Sequence, residues 1–268
     1  MKKISPSVTL LPRTLSLILA AGALAACAQA RPVAAPVTPS TTTSVVTPSA
    51  PPHVRNVAIL LYQGVELLDF AGPGEVFSSN DAFHVYTVAE SKKPLLSRGF
   101  VTIDPEFSID DAPKPDIVVI PGGGVRSLLD SERAMAWLHT AIANDELTTS
   151  VCNGAYALAK DGSLDGKRAT THWHAVEGLR KAAPKVTVVP EVRYIDEGRV
   201  MTTAGVSAGI DGALHIVQRL LGDEEAWRSA RYMMYAWEPE DGAVAGRPPL
   251  TRAERDAMRA RVMGAAAH

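Results

Sequence analysis

Continuous apolar runs alternating with helical patterns are the feature that most limits what this chain can fold into. Asn56–Tyr62 (N-V-A-I-L-L-Y), Phe83–Ala89 (F-H-V-Y-T-V-A) and Asp116–Ile120 (D-I-V-V-I) carry too few polar positions to leave one face wet. Strands of that composition are buried on both sides, as in parallel sheets covered by helices. Leu67–Phe77 has helical character around a Gly72-Pro73 break, and Leu128, Met135, Leu138 and Ile142 fall on one helical face. Thr149–Val151 is the next strand. This alternation predicts an α/β fold built on a doubly wound parallel sheet.

The remaining elements are lighter. Gly99–Ile103 and Glu106–Ile109 predict a hairpin near a sheet edge, and Trp173–Ala183 a helix that stops at Pro184. Val186–Val189, Val192–Ile195 and Val200–Thr203 read as strands, the last two joined by a turn at Asp196–Gly198. Ile210, Leu214, Val217 and Leu221 line one face of a long helix. A following helix, capped by Asp223, aligns Trp227, Ala230, Met234 and Trp237. Thr251–Glu254 matches a capping box opening a short helix to about Met263.

The N-terminal part is not expected to join this fold. Lys2, Lys3 and Arg13 precede an apolar run, Leu15–Ala26, that is too short to span a bilayer. It ends in Leu24-Ala25-Ala26-Cys27, which resembles a bacterial lipobox, so residues 1–27 read as a lipoprotein signal peptide with Cys27 as the lipidation site. Residues 28–53 hold six prolines and one charged residue, Arg31, and read as an extended tether. Residues 54–238 form the expected domain, and 239–268 a tail with the short helix. The resulting expectation is export, with the lipid holding the protein to a membrane facing the periplasm; Ala28 after the cysteine favours the outer membrane. Loss of residues 1–26 moves the formal net charge from −2 to −5, with 24 basic residues against 29 acidic ones. A mildly acidic exported domain is a poor nucleic-acid partner. No group of residues has metal-ligand spacing, so no metal is expected.

Cys152 sits between a β-branched strand and the helix-favouring Ala155–Lys160, where a polar side chain is displayed at a turn. N–H groups opening the helix favour thiolate, which predicts a lowered pKa and an accessible nucleophile. The other reading is a small buried hydrophobe, the commoner fate of a free cysteine. With Cys27 lipidated, Cys152 is the one thiol left, and it has no intramolecular disulfide partner. Ligands of open parallel sheets bind beyond the carboxyl ends of the strands. Gly64–Asp69, Pro121–Gly124 and Cys152 all follow such ends. Asp69 is either a helix N-terminal cap or a carboxyl group working with the thiol.

Tyr62-Gln63-Gly64-Val65, Leu68-Asp69, Gly72-Pro73 and Glu75-Val76 together resemble the opening of the ThiJ/PfpI superfamily. So do Pro121–Gly124, Ser150–Ala155, Ala169–Trp173 and Thr203–Asp211, and the likeness runs from about Val57 to Trp237. It is most similar to the branch of isonitrile hydratases and of amidotransferase-like domains fused to AraC-type regulators. The resemblance implies a flavodoxin-like three-layer sandwich with Cys152 as nucleophile on an elbow and Asp69 as its proton carrier, the two groups sharing one proton. It also implies an oxyanion hole at the N–H groups of Gly123 and Asn153, with Gly124 beside them. His172 aligns with a histidine near the nucleophile in several members and is equally suited to packing; His174, Asp211 and Glu75 are lesser candidates.

Asn153 departs from the pattern, since protease-like members place histidine there and isonitrile hydratases usually threonine. That argues against peptide hydrolysis. The resemblance implies a cofactor-free, homodimeric enzyme that adds water to a small-molecule electrophile through a covalent thiol adduct, as isonitrile hydratases do. Glyoxalase or deglycase chemistry and a non-catalytic ligand or redox sensor are the alternatives.

Overall fold

The computed structural model describes residues 53–239 and 242–244, with five helical residues between 253 and 261. Cys27, the signal segment, residues 28–52 of the tether and most of the C-terminal helix lie outside the described residues. In chain order the strands are β1 (Arg55–Leu60), β2 (Phe83–Ala89), β3 (Leu95–Leu96), β4 (Thr102–Ile103), β5 (Phe107–Ser108) and β6 (Ile117–Ile120). They continue with β7 (Leu147–Val151), β8 (Arg168–Ala169), β9 (Thr187–Val188), β10 (Tyr194–Asp196), β11 (Val200–Thr203) and β12 (Gly242–Val244). The helices are α1 (Leu67–Ser78), α2 (Arg126–Leu129), α3 (Glu132–Asn144), α4 (Ala155–Asp161), α5 (Val176–Ala182), α6 (Ala208–Leu221) and α7 (Asp223–Tyr232).

Eight strands form the main sheet in the order β12-β10-β11-β7-β6-β1-β2-β5. All neighbours are parallel except β10 and β11. Helices α1, α6 and α7 pack together, and α2 to α5 form the second group, giving the flavodoxin-like layered arrangement. Val57, Ala58, Ile59 and Leu60 of β1 and all four residues of β6 are buried. Each large aliphatic side chain among them contributes roughly 1.5–3 kcal/mol by leaving water. Burial on both faces is why these strands read as unbroken apolar runs. The chain leaves β1 toward β2 on one side, while β6 pairs on the other. The strand order therefore reverses between β1 and β6, and the carboxyl ends of β7 and β11 follow in line beside β6.

Several elements differ from the sequence-based expectation, each for a local reason. The hairpin pairs β3 with β4, while Phe107–Ser108 instead adds to β2 in parallel at the sheet edge. Pro105, with no N–H to give, separates the two. Leu128 lies on a helix separate from Met135 and Leu138, because Ser131 opens α3 by accepting the N–H of Ala134 at 3.1 Å. The helix expected from Trp173 begins as a single 3-10 turn and becomes α-helical only at Val176. Thr187–Val188 pairs with β8 outside the main sheet.

Helix α7 stops before Met234, which has φ 52° and is 91 % exposed. The N–H of Tyr235 reaches back to the carbonyl of Ala230 and that of Met234 to Arg231, a Schellman ending. Trp237 lies past this turn, buried against Trp227 with ring centroids 5.1 Å apart, so contact between the two survives without a shared helical face. The cap position of α7 is Gly222, and Asp223 lies one residue on, in the first turn, where it accepts from Gln218 Nε2 at 2.8 Å. The sheet edge beyond β10 is covered by Gly242–Val244, from the segment expected to be tail.

Candidate active site

Cys152 closes β7 with φ 60°, a left-handed backbone that a side chain adopts only where surrounding structure imposes it. Residues Cys152–Gly154 form one 3-10 turn before α4, which is the geometry of a nucleophile elbow. The turn fits because Gly154 backs directly onto β6: a Cβ there would lie 2.3 Å from the carbonyl oxygen of Ile120. Thr171 Oγ1 donates to the carbonyl of Cys152 at 2.8 Å and fixes the peptide that follows the nucleophile.

Asp69 is fully buried on the first turn of α1. It caps nothing in its own helix. Oδ2 accepts the N–H of Gly122 at 2.8 Å, and Oδ1 accepts the N–H of Val206 at 2.8 Å. Val206 itself has φ 50°, unusual for a β-branched residue, and this backbone strain aims its N–H at the carboxyl group. The thiol of Cys152 lies beside the same carboxyl group, close enough for each to shift the other's proton affinity. Glycines permit the approach. A Cβ on Gly122 would meet Asn153 Oδ1 at 2.4 Å, Asp69 Oδ2 at 2.7 Å and Cys152 Cβ at 2.7 Å. A Cβ on Gly205 would meet Cys152 Cβ at 2.7 Å.

The electrostatics make these two groups one acid–base unit. Burial pushes the Asp69 carboxyl up to about 6, against the N–H groups of Gly122 and Val206, which favour its charge. Burial and then the neighbouring Asp69 push the Cys152 thiol up to about 12, although the N–H of Asn153 supports the sulfur. The expectation of an exposed, low-pKa thiolate is therefore corrected. Cys152 is only 8 % exposed, and desolvation with a carboxylate alongside outweighs the opening of a seven-residue helix. Near neutral pH the pair holds one proton, carried by the sulfur beside a charged carboxylate. The same surroundings hold the Tyr62 hydroxyl well above its ordinary range, so it stays a donor to the carbonyls of Pro121 and Gly122.

The glycine turn differs from the expected oxyanion hole. The N–H of Gly123 donates to Asn153 Oδ1 at 2.8 Å, Asn153 Nδ2 donates back to the carbonyl of Gly123 at 2.9 Å, and the N–H of Gly124 donates to Gly64 at 2.7 Å. Gly123 and Gly124 thus present no open donor, because the carboxamide and the β1–α1 loop have taken both. Gly123 has φ 98° and abuts Glu66 and Gly64 so closely that no side chain would fit.

His172 is half-buried at the start of the 3-10 turn, near His174, Arg98 and Glu66. Burial, then His174, holds its pKa below the ordinary value. The charged groups that act on the sulfur are the carboxyl groups of Asp69 and, more weakly, Glu66. His174 and Glu75 are exposed. Asp211 is buried in an ion pair with Arg193 and accepts from the Tyr235 hydroxyl at 3.1 Å, so it anchors the loop before β10. Sequence reasoning missed Val206, Tyr62 and Thr171. A hydroxyl or backbone N–H turned inward by a strained loop leaves no pattern to read. A cleft of about 580 Å³ lies alongside, lined in part by His172, Trp173, Arg193, Gly205 and Val206.

Known proteins carry the same arrangement of elements. The family model described as the DJ-1/PfpI family matches residues 55–219. The chain is 32 % identical over 185 residues to an isonitrile hydratase of Pseudomonas putida, covering 68 % of this chain and 79 % of that enzyme. It is 27 % identical to the HTH-type transcriptional regulator GbdR of Pseudomonas aeruginosa, covering 66 % of this chain and half of the regulator. A crystal structure of a ThiJ/PfpI family protein from Pseudomonas syringae superposes with a TM-score of 0.63 at 26 % identity, over 83 % of this chain and 95 % of that one. With its sheet order, its cysteine elbow and these matches, the chain belongs to the DJ-1/PfpI family.

Proposed function

We propose that this protein hydrates isocyanides to N-substituted formamides through a covalent adduct on Cys152. The observation that carries the reading is the buried Asp69–Cys152 pair, which holds one proton at neutral pH and can deliver it to an atom bonded to sulfur. In the first step the thiol proton passes to Asp69 while a sulfur lone pair bonds to the terminal carbon of R–N≡C. Asp69 then protonates that carbon, giving the thioimidate R–N=CH–S. Water adds across C=N, its proton going to nitrogen. The C–S bond breaks as the hydroxyl proton returns through Asp69 to sulfur, releasing R–NH–CHO. Acid–base assistance of this kind contributes typically 10²–10⁴-fold. The likeness to the P. putida isonitrile hydratase supports the choice of substrate class.

The test is turnover of cyclohexyl isocyanide, methylglyoxal and a peptide by the purified protein. Formamide production lost in Cys152→Ser is the expected result. Consumption of the aldehyde alone would replace this reading with glyoxalase-type chemistry. Saturable binding with no consumption would favour a sensor, a possibility raised by the likeness to a transcriptional regulator.

We also propose that Cys27 anchors the protein to a membrane facing the periplasm, on the strength of the sequence Leu24–Cys27. Cys27→Ser is expected to move the protein out of the membrane fraction or to leave an uncleaved precursor. Wild-type protein soluble in the cytoplasm with residues 1–26 attached would contradict it.

A further inference from the structure

The two-way clamp between Asn153 and Gly123 has a chemical consequence. Oδ1 faces the N–H of Gly123 and Nδ2 faces its carbonyl, so each donor meets an acceptor. The reverse rotamer would set N–H against N–H and oxygen against oxygen, so the clamp has one orientation. The carboxamide oxygen also lies beside the nucleophile: one methyl group on Gly122 would touch Oδ1 at 2.4 Å and Cys152 Cβ at 2.7 Å. Asn153 Oδ1 therefore occupies the hydrogen-bonding place that a substrate oxyanion on a sulfur adduct would take.

Electrophiles divide sharply at such a site. Attack of sulfur on an ester or amide carbonyl puts a full negative charge on oxygen, and each preorganised donor lost there costs roughly 10²–10³-fold in rate. Addition to an isocyanide passes through a thioimidate, and no intermediate of the hydration written above carries a full charge on oxygen. The closed donor hinders the first class and leaves the second untouched.

We propose that Asn153 is a specificity-determining residue that keeps the Gly123 N–H from substrate oxygen and so restricts Cys152 to electrophiles whose adducts need no oxyanion. The choice of favoured substrate rests on the function proposed above; the closing of the donor does not.

The test compares wild type with Asn153→Ala, and with Asn153→Ser as a second variant whose side chain is too short to rebuild the clamp. Two probes are used on the full chain. Cyclohexyl isocyanide reports hydration. p-Nitrophenyl acetate reports carbonyl attack: sulfur bonds to the acetyl carbon, p-nitrophenolate leaves with its electron pair, the thiol proton goes to Asp69, and acetyl-Cys152 is read by mass. Opening the donor is expected to raise the rate of Cys152 acetylation by about 10² relative to the rate of isocyanide hydration. Exchange of the Gly123 amide hydrogen is expected to quicken alongside. Equal falls in both rates, or an unchanged ratio with Gly123 exchange unchanged, would mean that Asn153 only holds the turn together and would overturn the proposal. If wild type does not hydrate the isocyanide, the substrate reading fails on its own. The acetylation rate of either variant against wild type still decides the gate.

Discussion

Asp69→Asn is expected to lower turnover by about 10²–10⁴-fold while leaving the protein folded. The amide cannot take the thiol proton or return it to carbon. Its effect on stability is small by cancellation. Replacing the carboxyl group relieves a buried group that burial has pushed up to about 6. It also sets an NH2 group against one of the two backbone N–H donors, from Gly122 and Val206, that the carboxyl oxygens now accept. Each of these effects is on the order of 1–3 kcal/mol and they oppose.

The pH dependence has a definite sign. Asp69 binds its proton more tightly folded than unfolded, so its contribution to stability is fully present below about pH 4 and is lost as pH rises through about 6. Activity runs the other way, because only the carboxylate can accept the thiol proton. Turnover is expected to climb through about pH 6 and then level off, and this pH dependence of both stability and rate disappears in Asp69→Asn.

Gly122→Ala is expected to act on three side chains of the site at once. Its methyl group would press at once on Asn153 Oδ1, Asp69 Oδ2 and Cys152 Cβ, at 2.4, 2.7 and 2.7 Å. The two oxygens are side-chain ends and can yield; the Cβ of Cys152 is held by the elbow. Relief therefore moves the carboxyl group away from the sulfur. Misplacement by about 1 Å costs on the order of 10² in rate, and overpacking of this kind costs roughly 1–3 kcal/mol in stability. Thermal unfolding together with kcat/KM checks both, and wild-type values for both would show that the three groups do not share this space.

What could be read from the residues follows from which forces leave a pattern. Strands β1 and β6 are legible because both faces are buried, and burial writes an unbroken apolar run. The rim of the sheet is legible because Asp69, Gly122–Gly124 and Cys152 all follow strand ends. The state of the thiol is not legible. It depends on how deeply Cys152 is buried and on a carboxyl group brought from residue 69, and neither distance is written locally. Val206 escapes for a similar reason, since a valine in a left-handed backbone looks like any other valine in sequence. Asn153 was visible as a departure from the family pattern. That its carboxamide turns inward onto Gly123, rather than toward solvent, is a property of the folded turn. Strand β12 is three residues long, and Gly-Ala-Val among glycines and prolines carries little β signal.

The central claim is that Asp69 and Cys152 titrate as one unit, and the rate of Cys152 alkylation by iodoacetamide against pH measures it most directly. Wild type is expected to show a midpoint near 6, where the pair loses its first proton, followed by a long plateau. Asp69→Asn is expected to lose that step and show a single midpoint above the free-thiol value of about 8.5, because the buried sulfur then titrates alone. The same midpoint in both proteins would contradict the account.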